Sequence, residues 1–423
     1  MSNSIRKAET AGGIPVLTEP MDGSASAGFM IAVRTGSRDE RDGIRGLSHL
    51  LEHTVFRETR SMDSFQMAKL MEGNGGELNA FTAKEMTGFY GITLKETSDV
   101  AMRCVADIVA NPLINEKDTE LEKQIVLQEL SMVKSEPEEY VHDLFESDLW
   151  KGEQLGYDEG GTEESVRPLT HTDLRQYYSE RYGRPNLAVF ATGGIDPDRV
   201  LSWAEDSLDG MSAPVVGARV PPKMPGASHT VHASAAEHVN IGFGFPVGEG
   251  TEAERYAESV LASVLGAGTS SRLFQRVREK NALVYSIYET AEHYSDAGYV
   301  ASFMSCTPSN VPKALEETAK AHAEFRKEGL EKDELSRTKN LLKGEIARSA
   351  ETTDGRIYRM CRGFMTHGAA HSARETMDLI DSVTEDDVMA AADRVFRADR
   401  LNITVLGKLG RRAGAFDFSS LDV

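Results

Sequence analysis

A chain of 423 residues with 40% hydrophobic content is too long for one ordinary core and apolar enough to fill two or three. Its net charge of −20 argues against a nucleic-acid partner, and no run of eighteen apolar residues is present to span a membrane. The N-terminus MSNSIRKAETAGGIPVLTEP lacks an apolar signal core, and Cys104, Cys306 and Cys361 suit neither a disulfide framework nor a zinc knuckle, so a cytoplasmic protein with reduced core thiols is expected.

In chain order, strand-like and turn-like stretches alternate from about Ile14 to Thr35, and a polar turn over 37–42 leads into a predicted helix from Arg41 to Phe56. That helix carries His49, Glu52 and His53 in the order HxxEH. At about 100° per residue His53 sits about 40° from His49, and Glu52 about 60° the other way. Two imidazoles four residues apart can share one metal ion, and the carboxylate between them can reach a water beside it. A catalytic zinc takes three protein ligands, so a third must come from elsewhere in the chain.

A second helix is predicted from Ser64 to about Glu72, with Phe65, Ala68, Leu70 and Met71 as its apolar residues and 73–76, Gly-Asn-Gly-Gly, as its stop. Glu77–Thr82 and Gly88–Leu94 read as two strands of a hairpin. Its edge could pair with an extended peptide, and an ordinary structural hairpin fits the spacing equally well. A long helix follows Asp118 and Thr119, either of which can cap it. Residues 122, 125, 129, 132 and 133 share a face, which sets Glu122 and Glu129 beside Ile125, Met132 and Val133. Carboxylates on an apolar face need a partner, and Glu129 is the best candidate for the third ligand; Glu120 and Lys123 read as the solvated side.

The chain also matches itself at one offset, 214 residues. Phe29, Val33 and Gly36 fall on Phe243, Val247 and Gly250; Thr170, Asp173, Tyr182, Leu187 and Gly193 fall on Thr384, Asp387, Phe396, Leu401 and Gly407. A duplication follows, with domains at 1–212 and 228–423 and a Pro/Gly-rich linker at 213–227. In the second copy His49, Glu52 and His53 become Ser263, Gly266 and Ala267, so only the first copy can hold a metal there.

Taken together these residues resemble the pitrilysin/insulinase family of inverted-motif zinc peptidases, in particular its short-chain branch that includes the mitochondrial processing peptidase. That family pairs HxxEH with a Glu 76 residues beyond the second His and another seven before it, here Glu129 and Glu122. The stretch 75–82 with Glu85 and Thr87 looks like its Asn-Ala strand segment, and Ser271–Tyr285 like its C-terminal Arg/Tyr element. Glu58, where relatives usually have Gly, and the loop 155–158 depart from the pattern.

The fold class expected is α+β, two homologous layered domains in which helices cover an antiparallel-rich sheet. The resemblance implies one zinc per chain on His49, His53 and Glu129, with Glu52 as general base and then general acid and Glu122 orienting a ligand. It implies that Asn79, Ala80 and Phe81 bind substrate as an added strand, and that Arg278 and Tyr285 stabilise the oxyanion or anchor the substrate carbonyl. The activity implied is zinc endopeptidase cleavage of peptides or unfolded segments inside a closed chamber, formed by a homodimer in which Arg278 and Tyr285 serve the partner chain's zinc. A non-catalytic subunit, or half of a heterodimeric processing peptidase, is the alternative.

Overall fold

In the computed structural model the first half of the chain runs β1 (Arg6–Glu9), β2 (Pro15–Pro20), β3 (Ser26–Val33), α1 (Leu47–Val55), α2 (Ser64–Gly73), β4 (Glu77–Thr82), β5 (Thr87–Leu94) and α3 (Ser98–Ala110). It continues with α4 (Glu116–Val133), α5 (Pro137–Leu149), α6 (Glu163–Val166), α7 (His171–Arg181), β6 (Leu187–Gly193) and α8 (Pro197–Leu208). The second half runs β7 (Ser228–His232), β8 (Val239–Gly248), α9 (Glu252–Gly266), β9 (Ser286–His293), β10 (Ala297–Cys306) and α10 (Val311–Glu328). Then come α11 (Glu334–Ser349), α12 (Thr353–His367), α13 (Ala373–Ser382), α14 (Glu385–Val395) and β11 (Asn402–Leu406). The structure describes residues 4–215, 217–409, 416–418, 421 and 423; residue 216 of the expected linker, and residues 1–3, 410–415, 419–420 and 422 of the two expected domains, lie outside them.

Two sheets result, ordered β1-β2-β6-β3-β5-β4 and β7-β11-β8-β10-β9. Among the described strands β2–β6 and β7–β11 pair in parallel, and the other pairs are antiparallel. The second order repeats the first without β1, and the 214-residue offset carries Phe29 of β3 onto Phe243 of β8 and α7 onto α14. The chain is thus the α+β duplication that its sequence implies.

Central strands buried on both faces read as continuous apolar runs, and SAGFMIAV of β3 is one. Its side chains alternate between two cores. Phe29, Ile31 and Val33 pack with Leu47, Leu50 and Leu51 of α1 and Val105 of α3. Met30 and Ala32 face the other way, against Ile357, Met360 and Cys361 of α12.

By compactness the chain divides differently from its two sequence repeats. The compact units are not the linear halves. One comprises the chain up to Ser131, Tyr157–Val220 and Ala347–Glu375; the other comprises Met132–Gly156, Pro221–Ile346 and the chain from Thr376. Helix α12 therefore covers the first sheet, and α5, its counterpart at the same offset, covers the second. Phe145 of α5 sits over Gly242 and Gly244 of β8, where a Cβ would lie 2.8 Å from its ring. Correspondingly, Thr353 of α12 presses on Gly28 of β3. Two charged clamps fasten these helices. Glu19 on β2, wholly buried, accepts from Arg356 at 2.5 Å and Arg359 at 2.9 Å. Asp148 of α5 accepts from His232 at 2.8 Å and Thr404 at 2.7 Å.

Several local expectations are corrected. Helix α1 starts at Leu47, not Arg41, because Gly43 and Gly46 adopt φ of +90° and +83°, outside the helical region. Phe65 is 74% exposed and adds nothing to the core. Helix α4 starts at Glu116, where the Asn115 side chain accepts from the Asp118 N–H, so neither Asp118 nor Thr119 is its cap. Met132 and Val133 are exposed, and Lys123 is buried instead, its Nζ donating to the Leu169 carbonyl at 2.7 Å and to Glu120 at 2.7 Å. The buried residues of α4 are Asp118, Thr119, Glu122, Lys123 and Val126, which share only Glu122 with the face the pattern suggests.

Candidate metal centre

Helix α1 carries His49, Glu52 and His53 on one side, and α4 brings Glu122 and Glu129 to them. The imidazole rings of His49 and His53 stand 4.7 Å apart, edge to face. Both Nε2 atoms face the same carboxylate oxygen, Glu129 Oε2, at 3.9 Å from His49 and 3.3 Å from His53. Tetrahedral ligand atoms bonded to zinc at about 2.0–2.1 Å lie about 3.3 Å from one another, so this spacing is that of a ligand set. Among the described residues these three form the one group of His, Cys, Asp or Glu whose ligand atoms all come within 4.8 Å of one another.

The donor chemistry also fits zinc. His49 Nδ1 is buried without a hydrogen-bond partner, and its Nε2 is beyond hydrogen-bond range of Glu129. The side chain as a whole is 23% exposed, so Nε2, the atom that faces Glu129, is open to a ligand. Burial, and then the neighbouring His53, push the His49 pKa down to about 4, which leaves a neutral ring with a free lone pair. At His53 burial works in the same direction, but hydrogen bonding to Glu122 and the charges of Glu129 and Glu52 outweigh it and hold the pKa above its ordinary value. Its Nδ1 lies 3.0 Å from Glu122 Oε2, the carboxylate support usual for a ligating histidine. Glu122 is buried and also faces Arg57 at 3.4 Å.

Glu52 points toward β4, where the Thr82 hydroxyl donates to its Oε2 at 2.6 Å. Burial raises the Glu52 pKa, Thr82 and His53 oppose the rise, and Glu129 adds to it. Sequence reasoning assigned no role to Thr82. It lies 30 residues from Glu52, and only the pairing of β4 beside α1 brings the two together.

Asn79, Ala80 and Phe81 lie on β4, the edge of the first sheet, which among the described residues pairs with β5 alone. The Asn79 side chain accepts from the Ala80 N–H at 2.8 Å. Phe81 shares the face of Asn79, opposite Ala80, and lies over Gly88 and 5.3 Å from the Tyr358 ring of α12. In the second unit Arg278 and Tyr285 meet each other. Arg278 rides on a π-helical turn, Phe274–Lys280, with its guanidinium 4.6 Å from the Phe274 ring and 5.9 Å from that of Tyr285.

The second copy cannot hold such a centre. Gly266, the counterpart of Glu52, is packed so tightly on β9 that a Cβ would lie 2.0 Å from the Glu289 nitrogen. Any side chain there would displace the strand.

Comparisons with known proteins give the family. Residues 16–163 match the model of the insulinase family, Peptidase family M16, and residues 168–342 match that of the peptidase M16 inactive domain. A Streptomyces coelicolor protein described as an uncharacterized zinc protease is 32% identical over 414 residues, spanning 96% of this chain and 90% of its own. A crystal structure of a protease from Helicobacter pylori superposes with a TM-score of 0.88 at 18% identity, covering 96% of this chain and 100% of that one. A structure from Pseudomonas fluorescens, titled peptidase M16 inactive domain, gives 0.86 at 18% identity over 96% and 98%. At that identity the two structures speak for the fold.

Proposed function

Since the chain belongs to the insulinase family of peptidases, family M16, we propose that it is a zinc-dependent endopeptidase acting on peptides or unfolded polypeptide segments held as an added strand in a closed chamber. The convergence of His49, His53 and Glu129 on one point, with Glu52 beside it, carries this reading. A zinc ion held there supplies a Lewis acid and brings the pKa of a water toward about 7.

The protein's own residues do the rest. Glu122 holds the Nδ1 proton of His53 and so fixes the tautomer that leaves Nε2 free. Thr82 holds the Glu52 carboxylate to one orientation. Glu52 takes the proton of the attacking water and passes it to the departing amine, as general base and then general acid. The free edge of β4 offers Asn79 and Ala80 to a substrate main chain, a mode that tolerates many side-chain sequences.

Zinc content measured beside chelator-sensitive cleavage of a peptide library tests the proposal. Glu52→Gln is expected to keep the metal and to lose about 10²- to 10⁴-fold in kcat. A metal-loaded Glu52→Gln chain that still cleaves peptides refutes the role. Because this chain carries both the ligands and the pair Arg278 and Tyr285, we further propose a homodimer in which that pair serves the partner's centre. Activity should then reappear when Glu52→Gln and Tyr285→Phe chains are mixed, and a mixture as inactive as its components argues for sites built within one chain. Among the described residues no helix is long and apolar enough to cross a membrane. Buried, free Cys104, Cys306 and Cys361 suit a reducing compartment, and the cytoplasm is the proposed one.

A further inference from the structure

Helix α1 begins with an unusual deficit. Its N-cap is Gly46, which has no side chain to receive the first amides. No capping serine or aspartate can replace it, since its φ is +83° and a Cβ there would lie 2.5 Å from the Gly160 carbonyl oxygen. The loop at Gly160 and Gly161 fills the space a cap would need.

Glu40 takes over the task from six residues upstream. Its Oε2 accepts from the Gly46 N–H at 2.7 Å and its Oε1 from the Ser48 N–H at 2.6 Å, and the residue is wholly buried. Burial pushes the carboxyl up to about 8 against the pull of the Ser48 amide and hydroxyl and the Gly46 amide. In either protonation state both oxygens can accept a hydrogen bond, which a glutamine offers at one atom only. The surroundings hold Glu40 in turn. The preceding residue, Asp39, is gripped by the Arg219 guanidinium at 2.9 and 2.7 Å, and the Glu40 N–H donates to the Ser37 carbonyl. The Ser48 hydroxyl, which also bonds Glu40, lies 3.0 Å from the Tyr177 hydroxyl, itself 2.8 Å from Thr35.

We propose that Glu40 is a positioning residue of the metal centre: its buried carboxyl anchors the first turn of α1 and thereby sets where His49 and His53 stand. Ser48, one of its two partners, precedes His49 directly. Ligand distances tolerate errors of only about 0.2 Å, so a first turn that frays or rotates moves His49 Nε2 out of place while the core face of the helix stays packed. This inference rests on the zinc reading for its consequence, and on hydrogen bonds alone for its cause.

The test uses the full chain carrying Glu40→Gln, with Glu40→Asp as a second variant that keeps the charge but is one methylene short of spanning both amides. Zinc affinity by chelator competition should fall about 10- to 100-fold, the range seen when groups supporting a metal ligand are removed. Hydrogen exchange of the metal-free protein should quicken over residues 46–53 and nowhere else. A purely structural role would instead lower the melting temperature and leave zinc affinity unchanged. Either folded variant binding zinc within twofold of the unsubstituted chain, or exchanging residues 46–53 at the unsubstituted rate, overturns the proposal. Should the unsubstituted chain take up no zinc, the peptidase reading fails by itself, and the exchange experiment still decides whether Glu40 anchors the helix.

Discussion

Replacing Glu19 by Gln tests what holds α12 on the first sheet. The Glu19 carboxylate is wholly buried and lies 2.5 Å from Arg356 and 2.9 Å from Arg359, each of which is about one-seventh exposed. Burial lowers the Arg359 pKa and Glu19 works against that effect, so the guanidinium depends on its partner. Removing one member of such a group leaves the others buried and uncompensated, at a cost of about 3–5 kcal/mol. Against a typical total of about 5–15 kcal/mol that is a large share, and for a unit of this size it lowers Tm by roughly 6–20 °C. The assay is thermal and urea unfolding, with hydrogen exchange over Thr353–His367 to place the loss on α12. A triple variant, Glu19→Leu with Arg356→Met and Arg359→Met, should recover most of the stability, because matched apolar groups replace buried ions at little cost. Glu19→Gln unfolding within about 1 kcal/mol of the unsubstituted chain, with α12 amides equally protected, refutes the reasoning.

Two further outcomes follow from the same structure. Thr82→Val should lower kcat about 10-fold, the worth of a hydrogen bond to a charged group, with KM little changed, and Thr82→Ser should restore it; steady-state kinetics of the zinc-loaded protein decides. In the second unit buried His322 meets Glu289 at 2.8 Å and the Thr318 carbonyl at 2.8 Å. Burial opposes its charge, but these partners raise its pKa overall. A raised histidine stabilises the fold fully below its unfolded value of about 6.5 and loses that contribution as pH climbs through the folded value. Urea midpoints should therefore fall with pH above neutrality, and His322→Gln should flatten that slope; an unchanged slope removes His322 as the cause.

How much of this the sequence discloses depends on the range of the interaction. His49, Glu52 and His53 are a matter of helical spacing, and the strands of the β4–β5 hairpin lie within a residue of their reading. Glu129 came from the pattern on α4 and from the family likeness, although the apolar face inferred around it was displaced, because Lys123 snorkels to backbone carbonyls and Met132 and Val133 face outward. Nothing local signals that Gly43 and Gly46 take positive φ, so the pattern starts α1 too early. Thr82 and Glu40 were invisible as supports, since nothing local marks a hydroxyl or a carboxyl that will meet a helix packed against it. The duplication showed which stretches correspond but not which sheet each helix covers. Periodicity reports that a helix has an apolar face and is silent about what lies on it.

That trade of α5 for α12 gives the linker a particular meaning. Nicking the chain between Pro221 and Gly226 would leave two pieces, each holding the lid for the other's sheet and a bare sheet face of its own. Made as separate polypeptides, such pieces are expected to find each other rather than persist alone. Two half-length ancestors pairing in this manner would already have formed an interlocked dimer, to which fusion added only a tether.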